Sequence, residues 1–126
     1  MAKRIIATDK APAAIGPYSQ AIENNRMLFI SGQIPLNPAT GKVVEGDVSA
    51  QAEQVFSNIS AILTTAGYCF EEVVKTTVFI ADMSLFAEVN EVYKKYYRSN
   101  CPARSTVAVK GLPLGVLVEI ETIAMK

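Results

Sequence analysis

Asp47-Val-Ser-Ala-Gln-Ala-Glu-Gln-Val-Phe-Ser-Asn-Ile-Ser-Ala-Ile-Leu-Thr-Thr-Ala-Gly-Tyr-Cys-Phe-Glu-Glu-Val-Val-Lys-Thr-Thr-Val-Phe-Ile-Ala81 carries a helix signal and a strand signal back to back. Val48, Ala52, Val55, Phe56, Ile59, Ile62, Leu63 and Ala66 form one apolar stripe at helical spacing. Asp47 or Ser49 can cap the start, and Gly67 suits the left-handed position beyond the end. From Val73 to Ala81 the chain turns β-branched and short, the mark of a strand.

A second helix is expected over Leu85 to Arg98 with Ser84 as its cap. Glu88 and Glu91 lie early in it and Lys94, Lys95 and Arg98 late, the order favoured by the helix dipole. Arg104–Val109 and Val116–Ala124 read as two closing strands. Upstream, Ile5–Ala7, Tyr18–Ile22 and Met27–Ser31 read as three more, the last two flanking the hairpin connection Glu23-Asn-Asn-Arg26. Gly32, Pro35, Pro38 and Gly41 open a long loop suited to a lid or a rim.

The order β-β-β-α-β-α-β-β predicts an α+β (α/β) sandwich, with two helices on one face of a mixed sheet. No helix is left for the other face, although Val116–Ala124 is apolar on both sides. An uncovered apolar face predicts self-association, most simply into a closed ring.

With 126 residues, 50% of them hydrophobic and 19% charged, the chain is expected to form one domain over 1–126 and not a disordered segment. Lys plus Arg and Asp plus Glu are 12 each, a balance that creates no long-range field for nucleic acid or anionic lipid. The N-terminus lacks a secretory apolar region, and no run reaches the roughly 18 apolar residues of a membrane span. A soluble, cytoplasmic protein with two reduced thiols, Cys69 and Cys101, is expected.

The chain has no histidine, which excludes a serine triad and leaves a zinc or haem site almost without ligands. No phosphate-cradling glycine motif is present. Proton transfer must fall to a carboxyl, lysine, tyrosine, thiol or water. Glu119, inside Val116-Leu-Val-Glu-Ile-Glu-Thr-Ile-Ala124, is the first candidate, with Arg104 at the head of the preceding strand. Alternation puts Leu117, Glu119, Glu121 and Ile123 on one face of the last strand, and Arg104 beside Thr106 and Ala108 on one face of the other. A guanidinium fork matches a carboxylate, while burial raises a carboxyl pKa and a neighbouring guanidinium lowers it. Two readings stand at this point: a structural ion pair across strands or subunits, and a carboxylate clamp with a water-activating base. Asn90 aligns with Phe86 and Tyr93 on the apolar side of the second helix, either as a satisfied amide or as a ligand contact. Tyr18 and Ser31-Gly32 are weaker candidates beside loops.

Taken together, Ala11-Pro-Ala-Ala-Ile-Gly-Pro-Tyr-Ser-Gln-Ala21, Ser31-Gly-Gln-Ile-Pro-Leu-Asn-Pro-Ala-Thr-Gly41, Val74-Lys-Thr-Thr-Val-Phe-Ile80, Val89-Asn90, Pro102-Ala-Arg-Ser105 and Val118-Glu-Ile-Glu121 resemble the reactive intermediate deaminase (Rid) family, also called YjgF or L-PSP endoribonuclease, end to end. The resemblance implies a chorismate-mutase-like fold in a barrel-like homotrimer. The last two strands would then be separated by another strand, with Lys110–Gly115 in the crossover. It also implies hydrolysis of 2-enamine and 2-imino acids, 2-iminobutanoate and 2-iminopropanoate, to 2-oxo acids and ammonia without a cofactor. Carried over, Arg104 would clamp the substrate carboxylate and Glu119 would activate water. Tyr18, Ser31, Gly32 and Asn90 would line an inter-subunit cleft. Thr106 would also border the substrate, at a position where many members have cysteine, and there we expect a mainly backbone role. Two further readings are an RNA-directed role, as ribonuclease or translation inhibitor, and a non-catalytic binder of small carboxylates.

Overall fold

The computed structural model describes residues 2–126. Its strands are β1 (Arg4–Ile6), β2 (Ala21–Asn24), β3 (Met27–Gln33), β4 (Leu36–Asn37), β5 (Lys42–Val43), β6 (Val73–Ile80), β7 (Ala103–Ala108) and β8 (Val118–Met125). The helices are α1 (Val48–Ala66) and α2 (Phe86–Tyr96). Six strands form one sheet in the order β1-β2-β3-β8-β6-β7, in which only β6 and β7 run parallel. Both helices cover one face. The mixed α+β architecture expected from the sequence is therefore present, with β6 separating the last two strands.

Every residue of the α1 stripe is buried, down to Phe56, Ile59 and Ile62 with no accessible surface. Asp47 caps the helix, its Oδ1 accepting from the Ala50 amide at 3.0 Å. Gly67 ends it at φ 85°, a conformation that costs little without a Cβ. Its amide bonds Thr64 O while that of Tyr68 bonds Leu63 O, closing the C-terminal turn. Phe56 stacks on Tyr96 of α2 at 4.4 Å between ring centroids and meets Tyr93 and Tyr97 edge-on, tying the helices together.

Three local expectations need correction. Tyr18 lies outside β2, in a turn closed by its own amide on Gly16 O, and β2 begins at Ala21. The second helix is shorter than expected and is not capped by Ser84. Asp82 accepts from the Ser84 amide at 2.8 Å, a short 3-10 turn over Met83–Leu85 follows, and α2 then starts at Phe86. The loop after Gly32 is less open than expected, because β4 and β5 pair within it as a small hairpin.

Alternation along β8 sends Val118, Ile120, Thr122 and Ala124 into the core beneath the helices. The opposite face stays bare. Ile5 (63%), Phe29 (42%) and Val107 (43%) remain exposed there, and register aligns them with Ile22, Ile123 and Phe79. No helix among the described residues is long and apolar enough to cross a membrane.

Candidate active site

The seven candidate residues separate into two groups. Glu119 pairs with Phe79 in register and lies on the bare face, whereas Val118 and Ile120 point to the helices. Arg104 pairs with Thr76, whose buried side chain meets α2, so Arg104 lies on the helix face. The two charged residues are thus on opposite sides of the sheet, with β6 between their strands. The expectation that Arg104 stands near Glu119 fails within one chain, because two alternation patterns read separately do not reveal which faces coincide.

The Glu119 group is built at an irregularity in β3. Pairing with β8 shifts between Ile30 and Gln33, and Gly32 sits in that shift. A Cβ on Gly32 would lie 2.0 Å from Glu119 Oε2, so the carboxylate packs directly over a backbone that must lack a side chain. Tyr18, Ser31, Gly32, Gln33, Glu119 and Glu121 line a cavity of about 530 Å³ at this point. Burial raises the Glu119 pKa above the ordinary 4.5, and the Glu121 charge adds to the effect. A half-buried carboxyl of raised pKa is suited to taking and returning a proton.

Buried amides that the sequence reading passed over hold this cavity in shape. Gln20, 4% exposed, accepts from Thr8 N and donates to the carbonyls of Thr8, Ala11 and Pro12, pinning the loop that leads to Tyr18. Ser31 Oγ donates to Ser19 O at 2.6 Å and ties the same loop to β3. Asn58 of α1, fully buried, donates to Ile34 O and Leu36 O and fixes the chain just beyond Gly32. Gln51 accepts from the Leu117 amide at 2.8 Å and sets the entry to β8. Asn58 did carry a signal: it stands three residues after Val55 and four before Ile62, on the apolar stripe itself.

The second group lies on β7, at the sheet edge, and on the α2 turn facing it. Arg104 Nη1 donates to Asn90 Oδ1 at 2.8 Å. Its guanidinium lies 4.7 Å from the Tyr93 ring centroid and 5.4 Å from that of Phe86. Arg104 forms no ion pair among the described residues, so a structural Arg104–Glu119 bridge is absent from the chain. Thr106, two residues on and on the same face, buries an Oγ1 that has no hydrogen-bond partner. No cluster of ligating side chains among the described residues could hold a metal. The Glu119 group, with carboxyls and no cation, faces one way, and the Arg104 group, with a cation and no carboxyl, faces the other.

Residues 8–126 match the family model described as Endoribonuclease L-PSP. The chain is 50% identical to the mouse 2-iminobutanoate/2-iminopropanoate deaminase, across 98% of this chain and 92% of that protein. It is 52% identical to a RutC family protein of Pyrococcus horikoshii, across 98% of both. Among solved structures, a Rid family protein from Yersinia pestis superposes with a TM-score of 0.97 at 52% identity, over 99% of this chain and all (100%) of that one. TdcF of E. coli with bound serine superposes at 0.93 with 44% identity, over 98% of each chain.

Proposed function

This chain belongs to the endoribonuclease L-PSP family, with its Rid and RutC members, and from that premise we propose that it hydrolyses 2-imino acids, with their enamine tautomers, to 2-oxo acids and ammonia. The observation that carries the reading is the Glu119 carboxylate, raised in pKa and seated over Gly32 in a cavity with Tyr18 and Ser31. Relatives from mouse, human, goat and cattle, 49 to 51% identical, carry the name 2-iminobutanoate/2-iminopropanoate deaminase. That a structural relative holds serine fits a small substrate carrying a carboxylate.

In this mechanism Arg104 binds the carboxylate and fixes the C=N carbon beside a water. Glu119 takes a proton from the water as its oxygen bonds to the carbon of the protonated imine, whose C=N electron pair moves to nitrogen and leaves a neutral amine. The carbinolamine then collapses: Glu119 returns its proton to the amine, the C–N bond breaks to release ammonia, and the C=O bond forms as the hydroxyl gives its proton back to Glu119. Positioning supplies much of the acceleration, because the reaction needs no covalent intermediate with the protein. Thr106 can therefore replace a cysteine without loss of the chemistry, and Thr106→Cys should alter turnover little.

The reaction needs both half-sites, so we propose a homotrimer in which the bare apolar faces close together and Arg104 of one copy meets Glu119 of the next. The exposed Ile5, Phe29 and Val107 support that association. Cys69 and Cys101, free and exposed, suit a reducing cytoplasm, and we place the reaction there. An RNA-cleaving role is disfavoured by a net charge of zero and the absence of histidine.

The test couples purified threonine dehydratase to this protein and follows 2-oxobutanoate appearance. Acceleration that depends on Arg104 and Glu119 is expected. No acceleration rules the activity out, and equal acceleration by Arg104→Ala rules out the arginine clamp.

A further inference from the structure

We infer that Asn90 and the Tyr93 ring form a pedestal that sets the plane of the Arg104 guanidinium and leaves its Nε/Nη2 edge free to take the substrate carboxylate side-on. The inference rests on the deaminase reading and assigns Asn90 to positioning instead of direct substrate contact.

Arg104 stands on an edge strand and is exposed, where an unrestrained guanidinium would sample many rotamers. Three contacts restrain it. Asn90 Oδ1 accepts from Nη1 at 2.8 Å and holds that end nitrogen. The Tyr93 ring lies beneath the guanidinium at 4.7 Å, with Phe86 at 5.4 Å, a cation–π arrangement that confines the cation to one layer. Tyr93 is itself only 5% exposed, and its hydroxyl bonds Thr76 Oγ1 at 2.7 Å on the neighbouring strand β6. Thr76 is fully buried and is the register partner of Arg104, so the strand paired with the arginine's own anchors its platform.

What remains is as informative. Among the described residues Nε and Nη2 donate to no protein group, and the side-on edge they form matches the two oxygens of a carboxylate. The neighbours on α2 are an amide and two aromatic rings, none of them an acid that would compete for the cation. Asn90 is the uncharged choice for this position. A carboxylate there would bind Nη1 more tightly and neutralise the clamp.

The test measures binding of 2-oxobutanoate, a stable carboxylate product, by titration calorimetry alongside steady-state kinetics. Asn90→Ala should weaken binding roughly tenfold and raise KM more than it lowers kcat. Asn90→Asp should weaken it further, because the new charge occupies the guanidinium. Tyr93→Phe keeps the ring and should bind within about twofold of wild type, whereas Tyr93→Leu should lose roughly 2- to 30-fold. Asn90→Asp binding as well as wild type, or Tyr93→Leu matching Tyr93→Phe, overturns the inference while leaving the deaminase reading intact. Should Tyr93→Leu fail to fold, the Asn90 pair at the helix surface decides alone. Wild type that neither binds 2-oxobutanoate nor responds to Arg104→Ala overturns both.

Discussion

Gly32→Ala adds one methyl group to the floor of the Glu119 cavity. Its Cβ would sit 2.0 Å from Glu119 Oε2, 2.9 Å from Cδ and 3.2 Å from Cγ. Ordinary contact begins at 3.4 Å, so the carboxylate oxygen must move by the difference between 3.4 and 2.0 Å, about 1.4 Å. The obstacle is the end of a flexible side chain, and Gly32 has no positive φ, so the backbone accepts alanine. Restricting the unfolded chain stabilises by about 0.4–1 kcal/mol, and driving Glu119 off its rotamer costs about 0.5–1.5 kcal/mol. These nearly cancel, and Tm should change by less than about 5 °C. Catalysis is far less tolerant, since a misplacement near 1 Å costs about a hundredfold. The expected variant is therefore folded, associated and slower by roughly two orders of magnitude in kcat. Thermal denaturation, light scattering and the dehydratase-coupled assay measure the three quantities. Full activity in Gly32→Ala would show that the seat of Glu119 does not matter. Unfolding would show that the glycine serves the fold instead.

Rate should follow an acid limb lying above the ordinary carboxylate range, because Glu119 must be ionised to take a proton and burial raises its pKa. Glu121→Gln removes the neighbouring like charge and should move that limb to lower pH in a pH–rate profile. For stability the sign is opposite to that of a salt-bridged carboxylate. A folded pKa above 4.5 favours the fold only below that value, and the contribution is lost as pH rises through the raised pKa, so Glu119→Gln should resist urea better at neutral pH. Asn58→Ala strands the carbonyls of Ile34 and Leu36 and should lower Tm by roughly 5–10 °C, with activity falling alongside. Val107→Glu puts a charge on the bare sheet face. Light scattering should find a dissociated chain with native circular dichroism and no activity, and an assembled, active variant would refute the proposed association.

Elements governed by local periodicity are legible in the sequence. The α1 stripe is buried residue for residue, and the Asp47 and Gly67 caps follow from chemistry within one turn. Pairing between distant strands was not readable in that way. Nothing near Val118 encodes that β8 lies between β3 and β6, and only the family resemblance supplied the separation of β7 from β8. The same gap hid the opposition of Arg104 and Glu119, since alternation gives a face within each strand but not its relation to a strand two positions away. Two-residue strands such as β4 and β5 are too short to alternate. Asn90 stands out because it interrupts an apolar helix side, and Asn58 does the same in α1, where it is fully buried.

The place of β8 has a consequence for how the protein is made. It is the last of these strands to leave the ribosome, yet it lies inside the sheet, hydrogen-bonded to β3 on one side and β6 on the other. Until it emerges, β1-β2-β3 and β6-β7 are separate pieces with open edges and an uncovered α1, and such edges invite pairing with other chains. The growing polypeptide thus keeps those edges open until β8 arrives. Glu119 comes with that strand, so no chain made only as far as β7 can present the cavity in which it sits.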